Sequence, residues 1–301
     1  MNSKVSRKDE LISKVIATVL LISSFVIFLL PLLLVISISF TPEVGIKANG
    51  FLLFPESWSL EAYKAIFADP SAVIKAYIVT AAQAFLTMAA ATLIMAMCAY
   101  PLSRKNFVLR GPIMFMILFT MLFHGGLIPT YILNSKWLGL KDTFWIYVLP
   151  SLVGAWYIIV LRTFFSQLPD ALVDSAKIDG AKELRIFFQI VLPLSKPVLA
   201  TVSLLILLDK WNDWMTSLIY ITNQDLYTLQ YLLQRILDQI EFVKTLAAQA
   251  MGMSALADFE NLPGENMRFA MSVVAAGPMM LVFPFFQKYF VKGLTVGSVK
   301  G

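Results

Sequence analysis

Residues 15–40 and 77–102 each run for 26 positions without a charged side chain. A helix of about 20 apolar residues, rising 1.5 Å per residue, crosses the hydrocarbon layer of a bilayer. Each run is long enough to do so, and this constrains the fold more than any other feature. Composition points the same way. Charged residues make up 14% of the 301 positions, against about a quarter in a soluble domain. So little charge cannot cover a water-facing surface of this size, and much of the apolar surface must face lipid.

Six spans fit the pattern, at roughly 15–39, 77–101, 113–133, 143–166, 197–219 and 269–291. The expected class is an all-α integral membrane protein. Gly125, Gly126, Pro129 and Pro150 interrupt the third and fourth spans. Such breakers survive in membranes where neighbouring helices or a cavity satisfy the freed backbone groups. Positive residues near the amino terminus precede an apolar run about twice as long as a signal-peptide core. No small-residue cleavage site follows, so this run reads as a retained first span. No internal repeat or low-complexity segment is evident.

The net charge of +5 reads as membrane orientation rather than nucleic-acid binding. Of 24 Lys and Arg, 15 fall in the segments on the amino-terminal side of the membrane and 8 on the other side, with Lys210 inside a span. Positive charge marks the cytoplasmic face. Both termini and the 167–196 loop are therefore expected in the cytoplasm, and the loops 41–76 and 220–268 outside. Cys98 is the single cysteine and lies inside an apolar run, so no intrachain disulfide can form and no cysteine metal site is expected. His124, the single histidine, stands beside two glycines and is expected to be structural.

The external loops carry helical patterning. Leu60, Tyr63, Ile66 and Phe67 share a face at helical spacing, as do Leu229, Leu232, Leu233, Ile236, Leu237, Ile240 and Val243. Short amphipathic helices of this kind can lie on the membrane surface or meet a partner.

Residues 168–197 form a polar island. Pro169 suits a first helical turn, since its missing N–H would lack a partner there anyway. Asp170 and Asp174 lie near that positive helix end, and Leu172, Val173 and Ala176 give an apolar side. Gly180 can end one helix in a turn. Asp179 can cap the next helix, with Glu183 in its first turn. The second helix is expected to place Leu184, Phe187, Phe188 and Val191 on one face. Pro193 and Pro197 are expected to stop it and to start the fifth span. The result is a helix–turn–helix bracket outside the bilayer.

This island resembles the cytoplasmic EAA loop of ABC importer permeases. Ile178-Asp179-Gly180-Ala181 and Ile190-Val191-Leu192-Pro193 match that pattern, and Asp174-Ser175-Ala176 stands where the family has Glu-Ala-Ala. Further stretches look like the carbohydrate-uptake branch. They are residues 125–131, Arg162-Thr163-Phe164-Phe165, Trp211-Asn212-Asp213-Trp214, and residues 285–295 with the terminal 297–301. The likeness is most specific for the second permease subunit of lipoprotein, multiple-sugar and oligosaccharide importers.

The resemblance implies a type I importer fold. Residues 1–14 would form a cytoplasmic amino terminus, 15–291 a six-span permease domain and 292–301 a cytoplasmic tail. It implies a heterodimer with a second homologous permease, two ATP-binding subunits, an external solute-binding lipoprotein and an oligosaccharide substrate. Asp174, Ala176, Asp179, Gly180, Ala181, Phe187, Phe188 and Pro193 would form the ATPase-coupling loop.

The chain has no phosphate-binding Gly-x-x-x-x-Gly-Lys-Ser/Thr loop and no His-Glu-x-x-His zinc motif. No catalytic, cofactor or metal residues are therefore expected in it, and ATP and magnesium would belong to the partner subunits. ATPase closure would move the bracket, with the fourth and fifth spans following as near-rigid levers.

Polar residues inside a span are functional candidates. Asp209, Asn212, Asp213 and Thr216 fall at i, i+3, i+4 and i+7, and so on one face of a continuous fifth helix. With Trp211 or Trp214 stacking on a ring, that face would line a sugar path, contact the partner permease or anchor at the interface. A second class of function is ion-coupled secondary transport, for which Asp209 and Asp213 are the only hint, with no inverted repeat visible. An intramembrane enzyme lacks a plausible set of reacting groups.

Overall fold

The computed structural model describes residues 7–249 and 264–296, and those residues contain helices and no strands. The first apolar run winds into α1 (Arg7–Ser39) with Pro31 inside it. Three of its hydroxyls are satisfied within the helix: Thr18 donates to the Lys14 carbonyl, and Ser23 and Ser24 both donate to that of Leu20. This local bonding lets polar residues ride in an apolar helix. After α1 come the short helices α2 (Glu43–Asn49) and α3 (Glu61–Ile66). The second apolar run becomes α4 (Pro70–Ser103).

Residues 7–69 with 236–249 and 264–277 form one compact unit, and residues 70–235 with 278–296 another. In the first unit, Phe40 stacks against Tyr63 at 4.9 Å between ring centroids, and the Tyr63 hydroxyl bonds Ser39 at 2.9 Å. Ala62 and Ile66 are the buried side chains of α3, whereas Leu60 and Phe67 are exposed. The expected apolar face is therefore only partly right, because a six-residue helix turns too little of its surface inward. The last helix, α14 (Glu265–Val296), begins where the buried Glu43 carboxylate accepts the Asn266 N–H at 3.2 Å.

The second unit is organised around α4. Ala84, Ala91, Ala96 and Ala99 are fully buried on it, and small residues let neighbouring helices approach closely in a membrane protein. After α4 come α5 (Arg110–Leu122), α6 (Leu127–Trp137), α7 (Trp145–Ser151), α8 (Ala155–Phe165), α9 (Asp170–Ile178), α10 (Glu183–Leu194), α11 (Lys196–Trp211), α12 (Met215–Tyr220) and α13 (Leu229–Gln249). One apolar core joins Met95 and Ala99 of α4, Ile158, Leu161 and Phe165 of α8, Val173 of α9, Ile186, Phe187 and Val191 of α10, and Val202 of α11.

Three helices, including most of α1 and all of α4, are long and apolar enough to cross a membrane unbroken. Three bent pairs pass the same test: α5 with α6 at 113°, α7 with α8 at 48°, and α10 with α11 at 81°. The count reaches six if each bent pair is one span, although in the last pair α10 belongs to the polar island expected outside the bilayer. Gly126 makes the first bend at φ 87°, where the His124 Nδ1 accepts its N–H at 3.0 Å. The expected break at Pro150 comes slightly later, since Pro150 is absorbed in a 3-10 turn and the chain bends beyond Ser151.

The fifth span departs most from expectation. The 197–219 helix stops at Trp211 and restarts as α12 at Met215. The sixth runs beyond both expected ends of 269–291. Residues 250–263 of the expected external loop and the terminal 297–301 lie outside the described residues.

Candidate functional site

The polar island folds as the expected bracket, with a different division of labour at its turn. Gly180 takes φ 77°. Its N–H donates to the Lys177 carbonyl at 3.0 Å, and the Ala181 N–H reaches back to Ala176 at 2.9 Å. This pair of bonds is a Schellman motif, which satisfies the last carbonyls of α9. Ala176 and Ala181, the two residues it brings together, both pack against the core.

Asp179 is consumed by this motif as the C-cap of α9. It does not cap the second helix. Lys182 holds that position, with extended backbone and no side-chain cap. Pro169 likewise stands just before α9 rather than in its first turn.

The second helix shows a further correction. Phe187 and Val191 are buried, but the third inward residue is Ile186. Phe188 and Leu184 are exposed, at 47% and 64%. A π-helical turn over Phe187–Val191 widens the helix, so a face counted at 3.6 residues per turn loses register there. The same turn carries Pro193 into the helix end, so it does not stop the helix; the chain bends only after Leu194. Pro197 starts α11 as expected.

The bracket is tied to the end of α4 by polar contacts. Tyr100 donates its hydroxyl to Glu183 at 2.8 Å, and the Glu183 carboxylate also takes Lys177 at 2.7 Å. The Arg104 guanidinium lies over the Tyr100 ring at 5.0 Å and reaches Asp170 at 3.5 Å. These groups line a recess of about 700 Å³, together with Lys105, Val173, Asp174 and Phe187. Of the expected loop residues, Ala176, Ala181 and Phe187 hold the bracket to the core. Asp174, Asp179, Gly180 and Phe188 face outward.

The Lys177 ammonium holds the Glu183 carboxyl below its ordinary 4.5; the Tyr100 hydroxyl adds to this and partial burial opposes it. With the folded value depressed, the contribution is complete above the unfolded value and fades as pH falls through the folded one. Amide-exchange protection across residues 170–187, corrected for intrinsic rates, is expected to hold from pH 7 to about pH 5 and to drop as pH falls below the ordinary 4.5. Glu183→Gln is expected to remove that pH dependence; an unchanged pH response in the variant would assign it to another group.

A second polar site lies at the break between α11 and α12. Asp209, Lys210, Asn212, Asp213, Trp214 and Thr216 line an open cleft of about 550 Å³. Asp209 and Asp213 therefore meet at a helix end rather than along one helix face, since α11 stops before Asn212. Asp213 accepts the Thr216 N–H at 3.0 Å, the Thr216 hydroxyl at 2.8 Å and the Lys210 ammonium at 3.2 Å. The Lys210 and Asp213 side chains are both nearly buried, and the Lys210 carbonyl takes the Gln83 amide.

Lys210 is the site residue that pattern reasoning passed over. The signal was a Lys and an Asp three apart in an apolar segment. Trp211 is 4% exposed and packs with Ala84 and Leu207. It cannot stack on a ligand in the cleft, a role left to Trp214 at 39%. Among the described residues no group of His, Cys, Asp and Glu could hold a metal ion.

Comparison with known proteins places the chain in one family. Residues 97–296 match the binding-protein-dependent transport system inner membrane components. The polygalacturonan/rhamnogalacturonan transport system permease protein YtcP of Bacillus subtilis (strain 168) is 38% identical over 275 residues, covering 91% of this chain and 93% of that protein. Protein LplC of the same organism is 36% identical over 282 residues, covering 91% and 90%. A chain from the crystal structure of a bacterial ABC transporter involved in the import of the acidic polysaccharide alginate matches with a TM-score of 0.76. That match has 26% identity and covers 96% of this chain and 100% of that one. With its long apolar helices, a bracket closed at Gly180 and these relatives, the chain belongs to the inner membrane permease components of binding-protein-dependent ABC importers.

Proposed function

We propose that this permease carries oligosaccharides inward, driven by ATP hydrolysed on separate subunits that dock on the bracket of residues 167–196. The observation that carries this reading is the two-sided bracket. Its inner face is locked into the core, while Ile178 (86% exposed), Leu184 and Phe188 present apolar surface outward. Exposed apolar side chains beside charged ones mark a protein contact, and an ATPase subunit is the occupant that the family supplies. Both termini and the bracket are assigned to the cytoplasm by the Lys and Arg distribution. ATP and magnesium sit on the two ATPase subunits, and a second, homologous permease completes the channel. An external lipoprotein delivers the sugar to the outer side of the permease. The cleft at Asp209, Asn212, Asp213 and Trp214 is the part of the path that this subunit contributes: carboxylates and an amide for hydroxyl groups, and an indole for a ring face.

Co-expression of this chain with a second permease, the ATPase and the binding protein tests the reading. The expected result is a stable co-purified assembly whose uptake of oligosaccharide into proteoliposomes requires ATP. Uptake driven by an ion gradient with no ATPase bound would replace it with secondary transport.

A further inference from the structure

We infer that Thr228 is a positioning residue of the transport cycle, which ties the external helix α13 to the cleft at Asp213. Thr228 is fully buried just before α13. Its hydroxyl donates to the Asp213 carbonyl at 2.8 Å, and its N–H donates to the Ser217 hydroxyl at 3.2 Å. The Ser217 hydroxyl lies 2.9 Å from that of Thr228 and 2.7 Å from that of Tyr147. Tyr147 donates onward to the Leu226 carbonyl at 2.7 Å. The next residue, Leu229, gives its N–H to the Thr80 hydroxyl of α4 at 2.8 Å. Thr80, Tyr147, Ser217 and Leu229 are all fully buried as well.

Proton accounting closes this chain. Thr228 and Tyr147 spend their protons on carbonyls, and Ser217 gives its own to one of those two oxygens. Buried hydrogen bonds of this kind are directional and costly to leave unmade. A helix packed only by apolar contacts can slide. This one cannot shift its first turn without moving the Asp213 backbone, and with it the carboxylate held by Thr216 and Lys210. The helix break between α11 and α12 is what lets the cleft respond to such a pull. A load on α13 from outside thus reaches the cleft directly.

The inference rests on the permease reading above, and the test separates the two. The complete transporter, with its ATPase and binding protein, is reconstituted with Thr228→Val, which keeps the shape and removes the hydroxyl. ATPase stimulation by sugar-loaded binding protein is expected to fall at least about fivefold in its maximum, while half-saturation and basal ATPase change less than about twofold. Thr228→Ser is expected to restore stimulation, since it returns the hydroxyl without the methyl. Wild-type stimulation in the valine variant, or a serine variant as defective as valine, would overturn the positioning role. If the valine variant does not assemble, Tyr147→Phe carries the test by cutting the outer end of the chain. A clear loss of stimulation supports the role, and full stimulation overturns it. A wild-type transporter whose ATPase ignores the loaded binding protein would sink the permease reading itself.

Discussion

Gly180→Val is expected to abolish ATP-driven uptake while leaving insertion in the membrane intact. No atom lies within 4 Å of where a Cβ would stand at Gly180, so space is no obstacle. The cost is conformational, because φ is 77°. A side chain in the left-handed region costs about 1–2 kcal/mol, and more for a β-branched residue. The Schellman pair from Gly180 and Ala181 would be strained at the same time. The spans insert by their apolar length, which the change does not touch.

The bracket would lose its fixed turn, and a push from an ATPase would be absorbed there instead of reaching α8 and α11. The measurement is uptake and stimulated ATPase in proteoliposomes beside membrane yield of the variant. Asn, which tolerates this backbone region, is expected to retain most activity at the same position. Normal coupling in the valine variant would mean that the turn does not transmit the stroke.

The parts of this molecule readable from sequence are those fixed by local chemistry. Gly180 announces its turn because few other residues take that backbone conformation readily. The spans announce themselves because lipid demands long apolar runs. Gly126 marks its bend for the same reason as Gly180.

What stayed hidden depends on tertiary context. Asp179 has the composition of an N-cap, yet the Schellman bonds leave no room to begin a helix before Glu183. Phe187 and Phe188 are adjacent and chemically alike, and only the π-turn decides which is buried. The break after Trp211 carries no glycine or proline. It is stabilised by Asp213 capping Thr216, by the bond from Thr228 and by the Gln83 amide on the Lys210 carbonyl. Partners 15 and 127 residues away in the chain leave no periodic trace. The spacing of Asp209, Asn212, Asp213 and Thr216 suggested a helix face, and their meeting at a helix end is what makes the cleft.

The adjacent phenylalanines give the second large effect. Phe187 is 2% exposed, packed with Ile186 and Val191 in the core shared by α4 and α8, and its ring lies 5.5 Å from that of Tyr100. Phe187→Ala is expected to cost about 3–5 kcal/mol, from lost burial and the cavity left behind. The loss falls at the seam between bracket and spans, so amide protection across residues 170–194 should collapse before that of α4. Phe188 is 47% exposed, and Phe188→Ala should change stability by less than about 1 kcal/mol. If the outer face of the bracket is the docking surface, that same change should weaken capture of the ATPase subunit about tenfold, as truncation of an aromatic anchor does in an interface. The two variants therefore separate holding the bracket from docking on it. Thermal unfolding and amide exchange read the first, and ATPase affinity reads the second. An alanine at 188 that captures the ATPase as tightly as the native chain would move the docking surface away from Leu184 and Phe188, toward the Asp174 side of α9.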